Sequence, residues 1–423
     1  MLDLKYIREN AEDVRRGVAA KGADPALVEA ALEADRRRRE LLTGVEALKN
    51  ERNTTSREIG RLRKQGADTA EMESATRDLG GRIAALDAEV RTADEELREK
   101  LLAIPNIPHF SAPVGADASA NRVVRECGAR RQFDFEPRDH VTLAEALGAL
   151  DMRRAARMTG AGFPLLLGAG ARLQRALIDF MLDLHVREHG YREVWPPALC
   201  HSGAMTGTGQ LPKLAEDMYR VAGSDLWLIP TAEVPLTNIY REEIIEERLP
   251  VYLTAYTPCF RKEAGAAGKL TRGLIRVHQF DKVEMVKFVE PETSYAELES
   301  LLDNAEDVLR RLGLFYRVVE LCTGDLSFAA AKCYDIELWA PGQNAWLEVS
   351  SCSNFAGFQA RRAGIRYRDV NGKTHYVHTL NGSGVALPRL VVALLENGQN
   401  ADGSVALPEA LIPYMGGISE LRP

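Results

Sequence analysis

FRKEAGAAGKLTRGLIRVHQFDKVEMV (residues 260–286) is the stretch on which the reading of this chain turns. A strand-like run ends in Arg261, Lys262 and Glu263, glycines at Gly265, Gly268 and Gly273 interrupt the pattern, and a second strand-like run follows. Alternate side chains of an extended strand share a face, so Arg276, His278, Phe280, Lys282 and Glu284 are expected on one surface. Arginine beside a glycine loop suits polyphosphate, because its planar fork can hold two oxygens without losing its proton. Phe280 offers a ring on which a base can stack. From residues alone, the segment is either a nucleotide site or an exposed charged hairpin.

Outward from it, short strand-like runs at 226–230, 256–261, 316–321, 333–340 and 345–355 mix with amphipathic helical stretches at 171–189 and 293–312. Several of the runs alternate polar with apolar, which suits an antiparallel sheet with one face turned to a site. The strands and helices lack regular βαβ spacing, so the expected class is α+β rather than doubly wound. Two further segments could carry chemistry. In NGSGVALPRLVVALLE (381–396) a Gly-Ser-Gly turn is expected to lead into a helix, with Arg389 one turn in, making an anion site. In TAEVPLT (231–237) Thr231 and Glu233 stand two apart, and on an extended segment they would offer a hydroxyl and a carboxylate to a small amine. Neither segment is diagnostic alone.

Toward the N-terminus the pattern becomes regular. A 4,3,4,3 spacing links Leu27, Ala31, Ala34, Arg38, Leu41, Val45, Leu48, Arg52, Thr55, Ile59 and Leu62, and a second links Met72, Thr76, Leu79, Ile83, Leu86, Val90, Ala93 and Leu97. Sustained heptads are coiled-coil seams, and QGADT (65–69) between them can reverse the chain, predicting an antiparallel hairpin roughly 55 Å long at ~1.5 Å per residue. Residues 36–64 hold ten basic and four acidic side chains, and residues 68–99 four basic and ten acidic. The two helices therefore attract each other. Arg36, Arg37, Arg57, Arg61 and Lys64 exceed what one seam needs; they form either a solvated flank or a phosphate-gripping face. Pro105, Pro108 and Pro113 then mark a linker.

At 423 residues with 45% hydrophobic content, the chain has material for two or three globular domains. Its net charge of −7 argues against binding through a uniformly basic surface, although a local basic face can still grip nucleic acid. Six scattered cysteines, without a Cys-x-x-Cys pair, do not make a disulfide framework and indicate a reducing compartment. The first ten residues lack an apolar signal region and no run of 18 apolar residues occurs. A cytoplasmic protein with no membrane partner is expected.

The segments around 231, 261 and 381, in this order, with WLEVSSCSNF (346–355) before the last and a helical hairpin in front, resemble the bacterial-type seryl-tRNA synthetases, a class II aminoacyl-tRNA synthetase family. The resemblance spans essentially the whole chain. Residues 260–286 resemble motif 2, residues 381–396 motif 3, and the helix from Ala171 running to YREVWPP the dimer-forming motif 1. It implies an N-terminal tRNA-binding domain over 1–104, a linker over 105–121, and over 122–423 a catalytic domain on an antiparallel sheet flanked by helices. The implied activity joins serine to ATP, forming seryl-adenylate and pyrophosphate, then transfers the seryl group to tRNA(Ser) and, where present, tRNA(Sec). The implied partners are L-serine, ATP, Mg²⁺ and a second copy in a homodimer, with no role for DNA.

By the same resemblance, Arg261, Glu263 and Arg389 carry catalysis. ATP contacts are implied for these three and for Lys262, Val277, Phe280, Glu348, Val349, Ser350 and Ser351. Serine contacts are implied for Thr231, Ala232, Glu233, Arg261, Glu284 and Ser383, a Mg²⁺ site for Glu348 and Ser351, and tRNA contacts for the five basic residues of the first arm helix. Two departures stand out: Ala356-Gly357 replaces a common Gly-Asp, and Leu387-Pro388 precedes Arg389 where Val-Gly is common. They leave room for a duplicated paralogue with altered inhibitor tolerance; loading of a carrier protein and a non-catalytic RNA scaffold are further alternatives. His185-Val186-Arg187-Glu188-His189 spells a zinc signature, but its overlap with motif 1 favours a surface or interface helix.

Overall fold

The computed structural model describes residues 1–263 and 272–423, so the expected glycines Gly265 and Gly268 lie outside the described residues. The chain divides into two compact units, Met1–Pro105 and Asn106–Pro423.

The first unit contains α1 (Leu4–Glu9), α2 (Ala11–Ala20), α3 (Ala26–Lys64) and α4 (Ala70–Ala103). The QGADT segment separates the two long helices. There Gly66 adopts a left-handed φ of 77° and the Asp68 carboxylate accepts from the Ala70 amide at 3.0 Å, starting α4. Every residue of both heptad seams is buried or half-buried, with Val45, Ile59, Leu79, Ile83 and Val90 among the buried ones. Arg38 pairs with Asp94, Lys49 with Asp87 at 3.0 Å and Arg63 with Glu73 at 2.6 Å. Hydrophobic burial thus holds the pair, and charge complementarity fixes its antiparallel register.

The second unit is built on an eight-stranded sheet. In chain order its strands are β1 (Arg122–Cys127), β2 (Arg192–Glu193), β3 (Val251–Phe260), β4 (Gln279–Val289), β5 (Tyr316–Glu320), β6 (Lys332–Ala340), β7 (Ala345–Asn354) and β8 (His378–Ala386). Their order in the sheet is β1-β5-β6-β7-β8-β4-β3-β2, antiparallel except for the final β3-β2 pair. Helices α5 (Gly168–Arg187), α6 (Glu233–Thr237), α7 (Ser294–Arg311), α8 (Phe358–Ala363) and α9 (Leu387–Gly398) surround it.

Strand parity divides the sheet into a core face and a site face. On β4, Val283 and Met285 join a core with Leu177 and Met181 of α5, Leu298 and Leu301 of α7, and Leu390 and Leu394 of α9. Val286 and Phe288 point the other way, into a smaller core with Ala232, Leu236 and Ala360. Phe280, Lys282 and Glu284 share the parity of that second face. The expected common face thus begins at Phe280: β4 starts only at Gln279, so Arg276 and His278 precede the strand and its alternation does not govern them.

Two local expectations are corrected. Gly-Ser-Gly is not a turn but part of β8, and its glycines serve close packing. A Cβ on Gly384 would lie 2.3 Å from His185 Nε2, and one on Gly382 2.8 Å from Cys352 Sγ. Thr231 and Glu233 are not on an extended segment, since α6 starts at Glu233 and its amide donates to Thr231 Oγ1 at 3.2 Å. Within the zinc-like signature, His185 lies on the inward face of α5, while Val186 and Arg187 are exposed. His185 is fully buried, its Nδ1 lies 2.9 Å from His189 Nδ1, and its Nε2 donates to the Gly384 carbonyl at 3.3 Å. Among the described residues no cluster of three or more His, Cys, Asp or Glu side chains could hold a metal, and all six cysteines are free. No described helix is long and apolar enough to cross a membrane.

Candidate active site

A cavity of about 630 Å³ opens on the site face of the sheet. Its wall includes Thr231, Glu233, Arg261, Glu263, Val277, Phe280, Glu284, Glu348, Val349, Ser350, Ser351, Ser383 and Arg389, so residues expected from four separate segments meet in one space. Ala232 and Lys262 do not reach the wall. Ala232 is buried in the core behind it, and the exposed Lys262 holds its ammonium 5.7 Å from the Tyr219 ring.

The strands bring these groups together through two irregularities. On β7, Leu347 and Val349 face the helix-covered core, and so does Cys352, whose parity is opposite. A register shift between Glu348 and Ser350 causes the change. Without that bulge, Glu348 and Ser351, three residues apart, would point to opposite faces. On β8 a shift between Ser383 and Val385 likewise separates Asn381 and Ser383 on the cavity wall from Val385 in the core. Ser383 stands opposite Glu284 of β4.

One end of the cavity is cationic. Arg261 follows the last residue of β3; its Nε donates to the Pro230 carbonyl at 3.2 Å, and its guanidinium sits 5.1 Å from the Phe280 ring centroid. Arg276 is ion-paired with Glu263, whose backbone takes a left-handed φ of 52°. Arg389, in the first turn of α9, donates from Nε to the Ile275 carbonyl at 3.1 Å and from Nη1 to the Glu348 carbonyl at 2.7 Å. These backbone contacts hold two guanidinium forks in place with donors left over for an anion. Pro388, also on the wall, occupies the start of the same helix, where a missing N–H costs little.

The other end is acidic and closely hydrogen-bonded. Lys282 Nζ donates to Thr231 Oγ1 at 2.8 Å and pairs with Glu284, which also accepts from Thr231 Oγ1 at 3.2 Å. Glu233 accepts from Gln359 Nε2 at 2.6 Å and from Gln210 Nε2 at 3.4 Å. Burial, reinforced by the charge of Glu284, pushes the Glu233 carboxyl up to about 7, while Gln359, Lys282 and Asn381 pull it back down. Two carboxylates and one ammonium leave this end one positive charge short.

Sequence reasoning did not assign Lys282, Asn381, Gln210 or Gln359 a role at the site. Lys282 and Asn381 were accessible in principle, being two residues from Glu284 and Ser383 on strands of period two. Nothing local marks Gln210 or Gln359, which arrive from loops and a short helix.

An antiparallel sheet presenting paired arginines at one end of a cavity and carboxylates at the other defines the core of a class II aminoacyl-tRNA synthetase. Residues 218–398 match the tRNA synthetase class II core domain (G, H, P, S and T), and residues 1–108 match the seryl-tRNA synthetase N-terminal domain. The chain is 56% identical over 422 residues to the serine–tRNA ligase of Pelotomaculum thermopropionicum, with 100% of both chains covered. Among solved structures it is similar to seryl-tRNA synthetase from Pyrococcus horikoshii complexed with ATP, at TM-score 0.94 and 40% identity over 100% of both chains. It is also similar to the cytoplasmic serine–tRNA ligase of Naegleria fowleri in complex with AMP, at TM-score 0.90 and 29% identity, over 100% of this chain and 99% of that one. The chain belongs to the seryl-tRNA synthetase family.

Proposed function

We infer that the cavity carries out the two half-reactions of a serine–tRNA ligase. A serine carboxylate oxygen attacks the α-phosphorus of ATP, the bond from that phosphorus to the β-phosphate bridging oxygen breaks, and pyrophosphate leaves. The terminal adenosine hydroxyl of tRNA(Ser) then attacks the seryl carbonyl and AMP departs. The observation that carries this reading is charge placement: fixed guanidinium groups and a carboxylate cluster one cation short line the same cavity.

Arg261 bridges the reactants, gripping the α-phosphate and the serine carboxylate and stabilising charge that builds on phosphorus. Phe280 and Arg389 hold the adenine between them, and Glu263, oriented by Arg276, reads its edge. Thr231, Glu233 and Glu284 take the serine ammonium and hydroxyl, with Ser383 beside them. An alanine side chain would leave these buried polar groups unpaired. Glu348 and Ser351 fit Mg²⁺, since both present hard oxygen atoms on the wall and the Glu348 side chain is 49% exposed. Bound there, Mg²⁺ would neutralise phosphate charge.

Of the arm cations, Arg57 and Lys64 are exposed, and Arg36, Arg37 and Arg61 keep more than half of their side-chain surface exposed beside their acidic neighbours. They form the phosphate-gripping face for tRNA. Trp195, exposed at the end of the motif 1 segment, supports a homodimer through that side. Six free thiols suit a cytoplasmic location.

Serine-dependent exchange of labelled pyrophosphate into ATP, followed by charging of unfractionated tRNA, tests the reading. Exchange together with charging is expected. Exchange without charging would favour a carrier-protein loader, and absence of both a non-catalytic scaffold.

A further inference from the structure

Behind the carboxylate cluster, outside the cavity wall, lies Gln359, the second residue of α8 and 1% exposed. Its amide is fully committed. Nε2 donates to the Thr208 carbonyl at 3.2 Å and to Glu233 Oε1 at 2.6 Å, and Oε1 accepts from Thr379 Oγ1 of β8 at 2.7 Å. A backbone carbonyl can only accept, so the Thr208 contact fixes which end of the amide is nitrogen and obliges the second N–H to face Glu233. Among the described residues, the Gln359 side chain bonds only to Thr208, Glu233 and Thr379, away from the arginine end of the cavity.

We propose that Gln359 is the positioning residue for amino-acid capture: by donating an oriented N–H to Glu233, it holds that carboxylate in its ionised, ammonium-binding form and aims it into the cavity. The proposal rests on the serine–tRNA ligase reading above. Glu233 needs such a donor because its surroundings oppose its charge. It is 8% exposed and shares the cluster with Glu284, whose negative charge favours a proton on Glu233. The groups facing it are Glu284 and Lys282 from β4, Asn381 from β8, Gln210 from its loop and Gln359 from α8. Lys282 is already shared with Glu284 and Thr231, the Gln210 contact is long at 3.4 Å, and the Asn381 hydrogen bond favours the charge less than the Gln359 one, which makes Gln359 the foremost neutral donor.

The test uses the full chain with Gln359→Met, which keeps the shape and removes the donor, and Thr379→Val, which unpins the amide oxygen. Serine and ATP constants are measured by pyrophosphate exchange from pH 6 to 9, and each variant is divided by wild type so that titration of serine itself cancels. Removing a hydrogen bond to a charged group predicts a serine KM raised roughly tenfold to a hundredfold at pH 7, with a smaller effect for Thr379→Val. The KM for ATP should be unchanged, and the serine defect should shrink as pH rises, because alkali re-ionises Glu233 without help. A serine KM equal to wild type overturns the proposal. So does a pH-independent loss of both substrates together, which denotes a disrupted fold. No exchange by the wild-type chain would instead overturn the ligase reading beneath it.

Discussion

The helical arm and the catalytic sheet solve the same problem, burial of apolar faces, at different ranges. In the arm each seam residue is placed by neighbours three or four positions away, and the partner helix follows after a five-residue reversal. In the sheet, Thr231 and Arg389 line one cavity because β3, β4, β7 and β8 were brought side by side and two bulges turned particular side chains around. Local periodicity therefore specifies a surface, whereas long-range register specifies a reaction site. Replacing Arg261 should strike only the second. Arg261→Ala removes the fork proposed to bridge both reacting anions, and pyrophosphate exchange should fall about 10²- to 10³-fold, while tRNA binding measured by filter retention stays within about twofold. Equal loss of both would erase the distinction.

The mirror experiment is deletion of residues 30–98. The heptad pairing closes on itself, so the truncated chain should retain serine-dependent pyrophosphate exchange within a few-fold. Charging of tRNA should drop by at least about tenfold if the removed cations, as proposed, contribute the salt-dependent part of the affinity. A milder form, Arg57→Glu with Lys64→Glu, should raise the KM for tRNA and flatten its dependence on salt by about one unit of slope for each phosphate no longer neutralised.

The same contrast governs what could be read from the residues. The arm was legible almost to the residue: both seams and the QGADT reversal stand where the spacing predicted. The sheet was legible as runs of alternating character, and period two correctly grouped Phe280, Lys282 and Glu284. It failed at each place where the backbone leaves that period. Arg276 and His278 precede the strand, Glu348 and Ser351 share the wall only through a bulge, and Gly382-Ser383-Gly384 is a close-packed strand rather than a turn. Glycine is read as a turn signal because turns are where it is usually needed. Here it is needed because His185 and Cys352 occupy the space a Cβ would take. Family resemblance named cavity-lining residues that alternation could not; Gln359 lay beyond either, since its hydrogen bonds join three partners distant in the chain.

Within the site, Glu233 offers a finer probe, because the pKa of about 7 reflects its sheet and helix neighbours rather than its own segment. On the proposed reading the ammonium of serine needs the Glu233 carboxylate, which is present above pH 7 and lost below it. Serine KM should therefore rise about tenfold per pH unit as the pH falls from 7 toward 5.5, while the KM for ATP changes little. Glu233→Gln should remove that acid limb and leave a uniformly weak affinity. A flat profile in the unmodified chain would mean that Glu233 is not the group that meets the ammonium.

The smallest expected effect concerns backbone alone. Ala356 has a left-handed φ of 48°, and its amide donates to Asn354 Oδ1 at 2.7 Å, which pins the turn joining β7 to α8. A Cβ in that region costs about 1–2 kcal/mol, part of which glycine would give back through its looser unfolded chain. Ala356→Gly should thus stabilise the catalytic unit by at most about 1 kcal/mol, a rise in Tm of roughly 2 °C or less. Because Ala356 does not line the cavity, both substrate constants should stay at wild-type values. A lower Tm would show that the alanine methyl makes packing contacts worth more than the strained backbone costs, and the common glycine at this position of the family would then need a reason other than conformation.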